Sequence, residues 1–90
     1  MLNKAVFLDR DGTLNYDPGY LGNPKDLKLF SDTGDVLAAL KNTYHFKLIV
    51  ISNQSGVARG FITEEDVVSV NSELNRRLLE FNVQIDAFYY

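Results

Sequence analysis

Strand, loop, helix, strand, loop, helix, strand is the order in which this sequence reads, and that order predicts an α/β fold around a parallel sheet. Three observations carry the prediction. Two short apolar runs, at 4–9 and 46–51, each lead into a polar loop that contains glycine. A segment with helical periodicity follows each loop. A third strand-like segment, 83–90, ends in the apolar stretch 87–90. Parallel strands need right-handed crossovers through helices, which leaves both loops at the carboxyl ends of their strands. Open α/β sheets place their ligands at that edge.

Taken in order, Ala5-Val6-Phe7-Leu8 is a continuous apolar run between Lys4 and Asp9, which predicts a short buried strand over 4–9. Residues 10–26 are polar and broken by glycine and proline. Within them Asp17-Pro18-Gly19 is a turn signal, because proline presets φ and glycine accepts positive φ. The segment is predicted to be an ordered flap or loop. Asp32 is placed to cap a helix whose apolar positions Val36, Leu37, Leu40 and Tyr44 recur at helical spacing and form one buried face. Phe46-Lys47-Leu48-Ile49-Val50-Ile51 is predicted as a second strand, covered on both faces as central parallel strands tend to be. Residues 52–60 form a second loop.

Thr63-Glu64-Glu65-Asp66 has the form of a capping box with acids at the positive end of a helix. Val67, Val70, Leu74, Leu78 and Phe81 form the apolar stripe behind it. Asn82 suits the left-handed residue that ends a helix, and 83–90 is predicted as the third strand. His45, with no partner at ligand spacing, is expected on the surface. No repeat or linker divides the chain, so residues 1–90 belong to one domain.

Composition limits the function. A hydrophobic fraction of 46% with 23% charged residues is ordinary globular composition. The apolar runs are far shorter than the ~20 residues of a membrane-spanning helix. The first residues meet a carboxylate at Asp9, too early for a secretory signal core. A cytoplasmic protein with no membrane partner is expected. The net charge is −3 and the nine Lys and Arg are scattered, which argues against a nucleic-acid partner. The closing Phe88-Tyr89-Tyr90 is read as strand packing and not base stacking. With no cysteine, thiolate chemistry is excluded. Nothing in the chain predicts an oligomeric state. An anionic substrate must be drawn in by local groups or a metal ion.

The chemistry is concentrated in Phe-Leu-Asp-Arg-Asp-Gly-Thr-Leu-Asn, residues 7–15. Along an extended chain Asp9 and Asp11 face the same side while Arg10 points away. Two converging acids repel unless a cation lies between them, and Mg²⁺ is the hard, oxygen-seeking ion commonly shared with phosphate. Gly12 permits the backbone to turn amides toward an anion, and Thr13 can buttress that turn. An isolated Asp-x-Asp-Gly is equally compatible with a turn whose carboxylates accept backbone hydrogen bonds. A calcium loop is excluded, because the glycine and glutamate it needs fall at Leu14 and Tyr20. In the second loop Ser52 ends the strand and is followed by Asn53, Gln54, Ser55 and Gly56. A parallel sheet would bring this hydroxyl beside the acids. No Gly-Lys-Ser/Thr follows, so the loop is not a P-loop.

These two segments, with Asp-Pro-Gly-Tyr at 17–20, resemble the haloacid dehalogenase superfamily of phosphotransferases. Within it they are most similar to the branch of heptose bisphosphate and histidinol-phosphate phosphatases. The resemblance implies a three-layer Rossmann-like parallel sheet and an Mg²⁺-dependent phosphomonoester hydrolase acting on a small phosphorylated metabolite. It implies that Asp9 is a nucleophile forming an aspartyl phosphate and Asp11 the general acid and base. The Asp9 carboxylate and Asp11 main-chain carbonyl would hold Mg²⁺, and Ser52 would grip the phosphoryl group. Substrate contacts would come from Asp9, Arg10, Asp11, Asp17, Pro18, Gly19, Tyr20, Ser52, Asn53, Gln54 and Ser55. Arg59 could reach a second substrate phosphate, but is expected to be solvated or paired with a local acid such as Glu64.

The superfamily also needs a lysine and an acidic motif beyond the third strand, and the branch often carries a Cys/His loop for structural Zn²⁺ there. Neither occurs in these 90 residues. The chain is therefore expected to be the N-terminal half of such a domain, with about three strands and two helices, and poorly active or inactive alone. A phospho-accepting receiver module is the reading from another class, but it needs adjacent acids after the first strand and another after the third. A non-catalytic binding fragment is a further alternative.

Overall fold

A computed structural model describes residues 4–52 and 55–90. Three strands, β1 (Lys4–Asp9), β2 (Phe46–Ile51) and β3 (Ala87–Tyr89), form a parallel sheet in the order β1-β2-β3. The class is the one expected. Register is set by the alternation of side chains: Val6 lies opposite Leu48 and Leu8 opposite Val50, and Val50 opposite Phe88, all directed into one core. Leu48 and Val50 are completely buried.

Helices α1 (Thr33–Ala38) and α3 (Glu64–Leu78) cover that same face, sending Leu37 and then Val70, Leu74 and Leu78 into the core. Two crossovers of one hand that step the same way along a sheet must land on one side. The expectation that β2 is covered on both faces therefore fails. Phe7, Ile51 and Tyr89 point to the other side and are exposed. The described residues thus supply two of the three layers.

Helix α3 follows its sequence signals closely. The Thr63 hydroxyl accepts from the Asp66 amide and the Asp66 carboxylate accepts from the Thr63 amide, closing the capping box. Asn82 takes the left-handed conformation at φ 56 after the 3₁₀ turn Leu79–Phe81.

Three expectations are corrected. Asp32 makes no capping hydrogen bond through its side chain; only its carbonyl accepts, from Val36. Helix α1 then widens into the π-helical segment Ala39–Thr43, where Tyr44 bonds back five residues to Ala39. The wider turn rotates Tyr44 off the apolar face and leaves it exposed; Val36, which precedes that turn, is exposed as well. The third strand is three residues long instead of eight. Val83 and Ile85 are buried as expected, yet the backbone ahead of β3 is claimed by α3: Asn75 Oδ1 accepts from the Ile85 amide and the Asn75 carbonyl from Gln84 Nε2. Of the closing aromatic run only Phe88 packs, while Tyr89 and Tyr90 are exposed.

The flap is ordered by short pairings. Asn15 bridges to Leu29, Tyr16 donates to the Lys28 carbonyl, and Phe30 donates to that of Leu14. A 3₁₀ turn at Pro24–Asp26, capped by Asn23, closes it. His45 lies on the surface as expected. Among the described residues no helix is long and apolar enough to cross a membrane.

Candidate active site

Parallel register brings the carboxyl ends of the strands into line. Asp9 lies opposite Ile51, and Ile51 opposite Tyr89. Two hydrogen bonds continue the ladder past the strands, from the Arg10 amide to Ile51 and from the Ser52 amide to Tyr89. The first loop then leaves the sheet sharply. The Arg10 carbonyl accepts from the amides of Thr13, Leu14 and Asn15, a turn closed by the Gly12 amide on the Asn15 carbonyl at 2.7 Å. Gly12 has φ 84, which a side chain would strain.

A cavity of about 240 Å³ opens at this edge. Asp9, Arg10 and Asp11 form one wall, the flap residues Asp17, Gly19 and Tyr20 another, and Ser55 contributes from the second loop. The Asp9 carboxylate is exposed and makes no hydrogen bond or ion pair among the described residues. Asp11 is held firmly. Arg10 donates to both of its oxygens, at 3.0 and 3.2 Å, and Asn15 Nδ2 adds a third contact at 2.9 Å.

Arg10 does not point away from the pair. The chain stops being extended after Asp9, so alternation no longer governs it; the side chain is buried and doubles back onto Asp11. A buried guanidinium needs acceptors on its remaining nitrogens. Asn71 on α3 supplies one at 2.8 Å.

Ser52 sits at the end of β2 beside this group, 4% exposed, and its Oγ has no partner among the described residues. Ile51, its neighbour, lines the cavity, and Ser52 itself does not. Pro18 is exposed and stands outside the lining. Asn53 and Gln54 lie outside the described residues. The flap tip is shaped by the Gly19 amide donating to Asp17 Oδ1, with Gly19 at φ 98.

Two asparagines were not singled out from the sequence. Asn71 had a readable signal, since it falls within the apolar stripe of α3 between Val67 and Leu74, where a buried polar side chain must have a partner. Asn15 gave none, because its burial depends on the flap closing over it. The second loop, expected to be irregular, contains the single helical turn α2 (Ser55–Ala58).

Among the described residues no group of three His, Cys, Asp or Glu side chains could hold a metal. The site does offer an oxygen donor of the kind Mg²⁺ takes, the unpartnered Asp9 carboxylate, while the Asp11 side chain is engaged by Arg10. The orphaned Ser52 hydroxyl is what an oxyanion would satisfy. The receiver reading finds no support, because Asp86 precedes β3 and lies at the opposite end of the sheet.

No family model matches the sequence. Curated relatives do match it from end to end. The chain is 39% identical to a D-glycero-beta-D-manno-heptose-1,7-bisphosphate 7-phosphatase of Haemophilus influenzae, over 99% of its own length and 48% of the relative's. It is 39% identical to the D-glycero-D-manno-heptose-1,7-bisphosphate 7-phosphatase of Chlorobaculum tepidum, over 97% of this chain and 44% of that protein. Its fold superposes with a TM-score of 0.86 on the crystal structure of D,D-heptose 1,7-bisphosphate phosphatase from B. bronchiseptica complexed with magnesium and phosphate, at 25% identity. That match covers 96% of this chain and 48% of the other. The chain spans about half the length of the relatives it matches. In sequence and in fold the chain is similar to about half of these heptose-1,7-bisphosphate phosphatases.

Proposed function

We propose that this chain carries the phosphoryl-accepting half of a phosphomonoester hydrolase whose substrate is a small sugar bisphosphate. The observation that carries the reading is the Asp9 carboxylate, open to the cavity and without a partner among the described residues, beside an Asp11 held in place by Arg10 and Asn15. The names of the relatives support the substrate class.

In this reading an Asp9 oxygen attacks phosphorus and the bond to the sugar oxygen breaks, leaving an aspartyl phosphate. Asp11 gives its proton to the departing sugar oxygen. It then takes one from a water that attacks phosphorus and frees inorganic phosphate and Asp9. The three donors on Asp11 suit the second of these roles, in which a carboxylate receives the proton. The first requires Arg10 to release one oxygen. Ser52 Oγ donates to a phosphoryl oxygen, which relieves its orphaned state. Mg²⁺, bound by the Asp9 carboxylate and the Asp11 carbonyl, would supply the positive charge that lets a carboxylate and a phosphate share one cavity. A relative crystallised with magnesium and phosphate supports that choice of ion.

Trifluoroberyllate, which mimics a phosphoryl group on aspartate, tests the proposal without requiring turnover. Fluorine NMR of the 90-residue chain with Mg²⁺ and beryllofluoride should show protein-bound resonances that vanish in Asp9→Asn and weaken in Ser52→Ala. Bound resonances that persist unchanged in Asp9→Asn would remove Asp9 from the role.

A further inference from the structure

The cavity wall presents three carboxylates, Asp9, Asp11 and Asp17, against one cation, Arg10, and that cation is already spent on Asp11 and Asn71. A substrate with two phosphates therefore needs positive charge from elsewhere on the rim. The second loop holds one. Helix α2 ends in a tight turn: the Arg59 amide donates to Ser55, Gly60 at φ 77 donates to Val57, and the Phe61 amide donates to Gly56. This turn stacks Phe61 on the flap residue Tyr20, ring centroids 5.0 Å apart, and sets Arg59 Nη1 3.4 Å from the Tyr20 hydroxyl. The contact is tight. A Cβ on Gly56 would come within 2.6 Å of the Tyr20 ring.

Arg59 is exposed, and the expected pairing with Glu64 is not formed. The ion pairs among the described residues are Arg10 with Asp11, Lys41 with Asp86, and Arg76 and Arg77 with Glu73. The hydrogen bond of Arg59 goes to a neutral phenol at the long end of the range, so the guanidinium can turn to an anion without breaking a salt bridge.

We infer that Arg59 is the specificity-determining residue for a second phosphate on the substrate, the one that is not hydrolysed. The hydrogen-bond partner of Arg59, Tyr20, lines the cavity and is itself stacked on Phe61. The inference rests on the phosphatase reading above and names the part of the substrate that Arg59 reads. A monophosphate ester held at Asp9 and Ser52 has nothing to offer Arg59, whereas a bisphosphate gains a charge-assisted contact.

The test is calorimetric titration of the 90-residue chain with Mg²⁺ and two probes, D-glycero-D-manno-heptose 1,7-bisphosphate and heptose 7-phosphate. The native chain should prefer the bisphosphate by about tenfold, the low end for a charge-assisted hydrogen bond at an exposed site. Arg59→Ala should erase that preference and leave the 7-phosphate affinity as it was, and Arg59→Lys should restore part of it. An undiminished preference in Arg59→Ala, or no preference in the native chain, overturns the assignment of Arg59 while the phosphatase reading stands. Failure of both esters to bind overturns the phosphatase reading and this inference with it.

Discussion

Arg10 and Asn71, 61 residues apart in sequence, meet through a buried hydrogen bond of 2.8 Å. Because the other donors of Arg10 hold Asp11, this bond ties the acid-bearing loop to the middle of α3. The loop is thus braced by a helix that contributes nothing to the cavity lining up to its own N-terminus.

Replacing Asn71 by leucine keeps its branched shape and removes the acceptor, leaving a buried guanidinium nitrogen unsatisfied. A loss of about 2 kcal/mol in unfolding free energy is expected, the usual scale for a hydrogen bond to a charged group. Urea denaturation measures it, and Asn71→Asp, which retains an acceptor, should lose less. An unchanged midpoint in Asn71→Leu would show that Arg10 does not depend on this bond.

A second stability prediction concerns the contact of α1 with the end of α3. A Cβ on Gly34 would lie 2.5 Å from three atoms of the Phe81 ring. In an exposed helix Gly→Ala gains up to about 1 kcal/mol. Here the ring cannot yield as a flexible chain end would, and overpacking of this kind costs about 1–3 kcal/mol. Gly34→Ala should therefore destabilise, and Gly34→Ala with Phe81→Leu should recover much of the loss. A single variant more stable than the parent would show that the ring has room to move.

The sheet class, the capping box, the left-handed Asn82 and the convergence of the two loops were all legible in the sequence, because each depends on local pattern: apolar period, cap chemistry, turn residues. What was not legible depends on tertiary contact. The shortness of β3 follows from Asn75 claiming its lead-in backbone. The inward turn of Arg10 follows from Asn71 waiting across the loop. The exposure of Tyr44 follows from a π-helical turn that no residue type announces.

Acid should weaken the fold through two carboxylates. Hydrogen bonds from Arg76 and then Arg77 lower Glu73 from an ordinary 4.5 to about 2. For Asp86 burial raises the pKa, but the hydrogen bonds from Lys41 and the Leu48 amide outweigh it, so the group lies below its usual range. A carboxyl depressed in the folded state contributes stability that is complete above its unfolded pKa and is lost as pH falls through its folded one. Stability should therefore decline from about pH 5 downward, with the Glu73 contribution fading toward about 2. Denaturation series across this range should give Glu73→Gln a shallower acid limb than the parent. Parallel limbs would mean that Glu73 titrates alike in both states.

The two faces of the sheet should answer differently to mutation. Leu48 is 0% exposed and Phe7 is 64% exposed, although both lie in paired strands of one sheet. Truncating Leu48 to alanine removes buried contacts and opens a cavity, which costs about 2–5 kcal/mol. Phe7→Lys removes little buried surface, and a surface change of this kind stays within about 0.5 kcal/mol. Because Phe7 shares its exposed face with Ile51 and Tyr89, the lysine should also reduce binding of an apolar dye and any self-association. A cost for Phe7→Lys comparable to that of Leu48→Ala would mean that this face is covered in solution, since only a buried ring can lose that much.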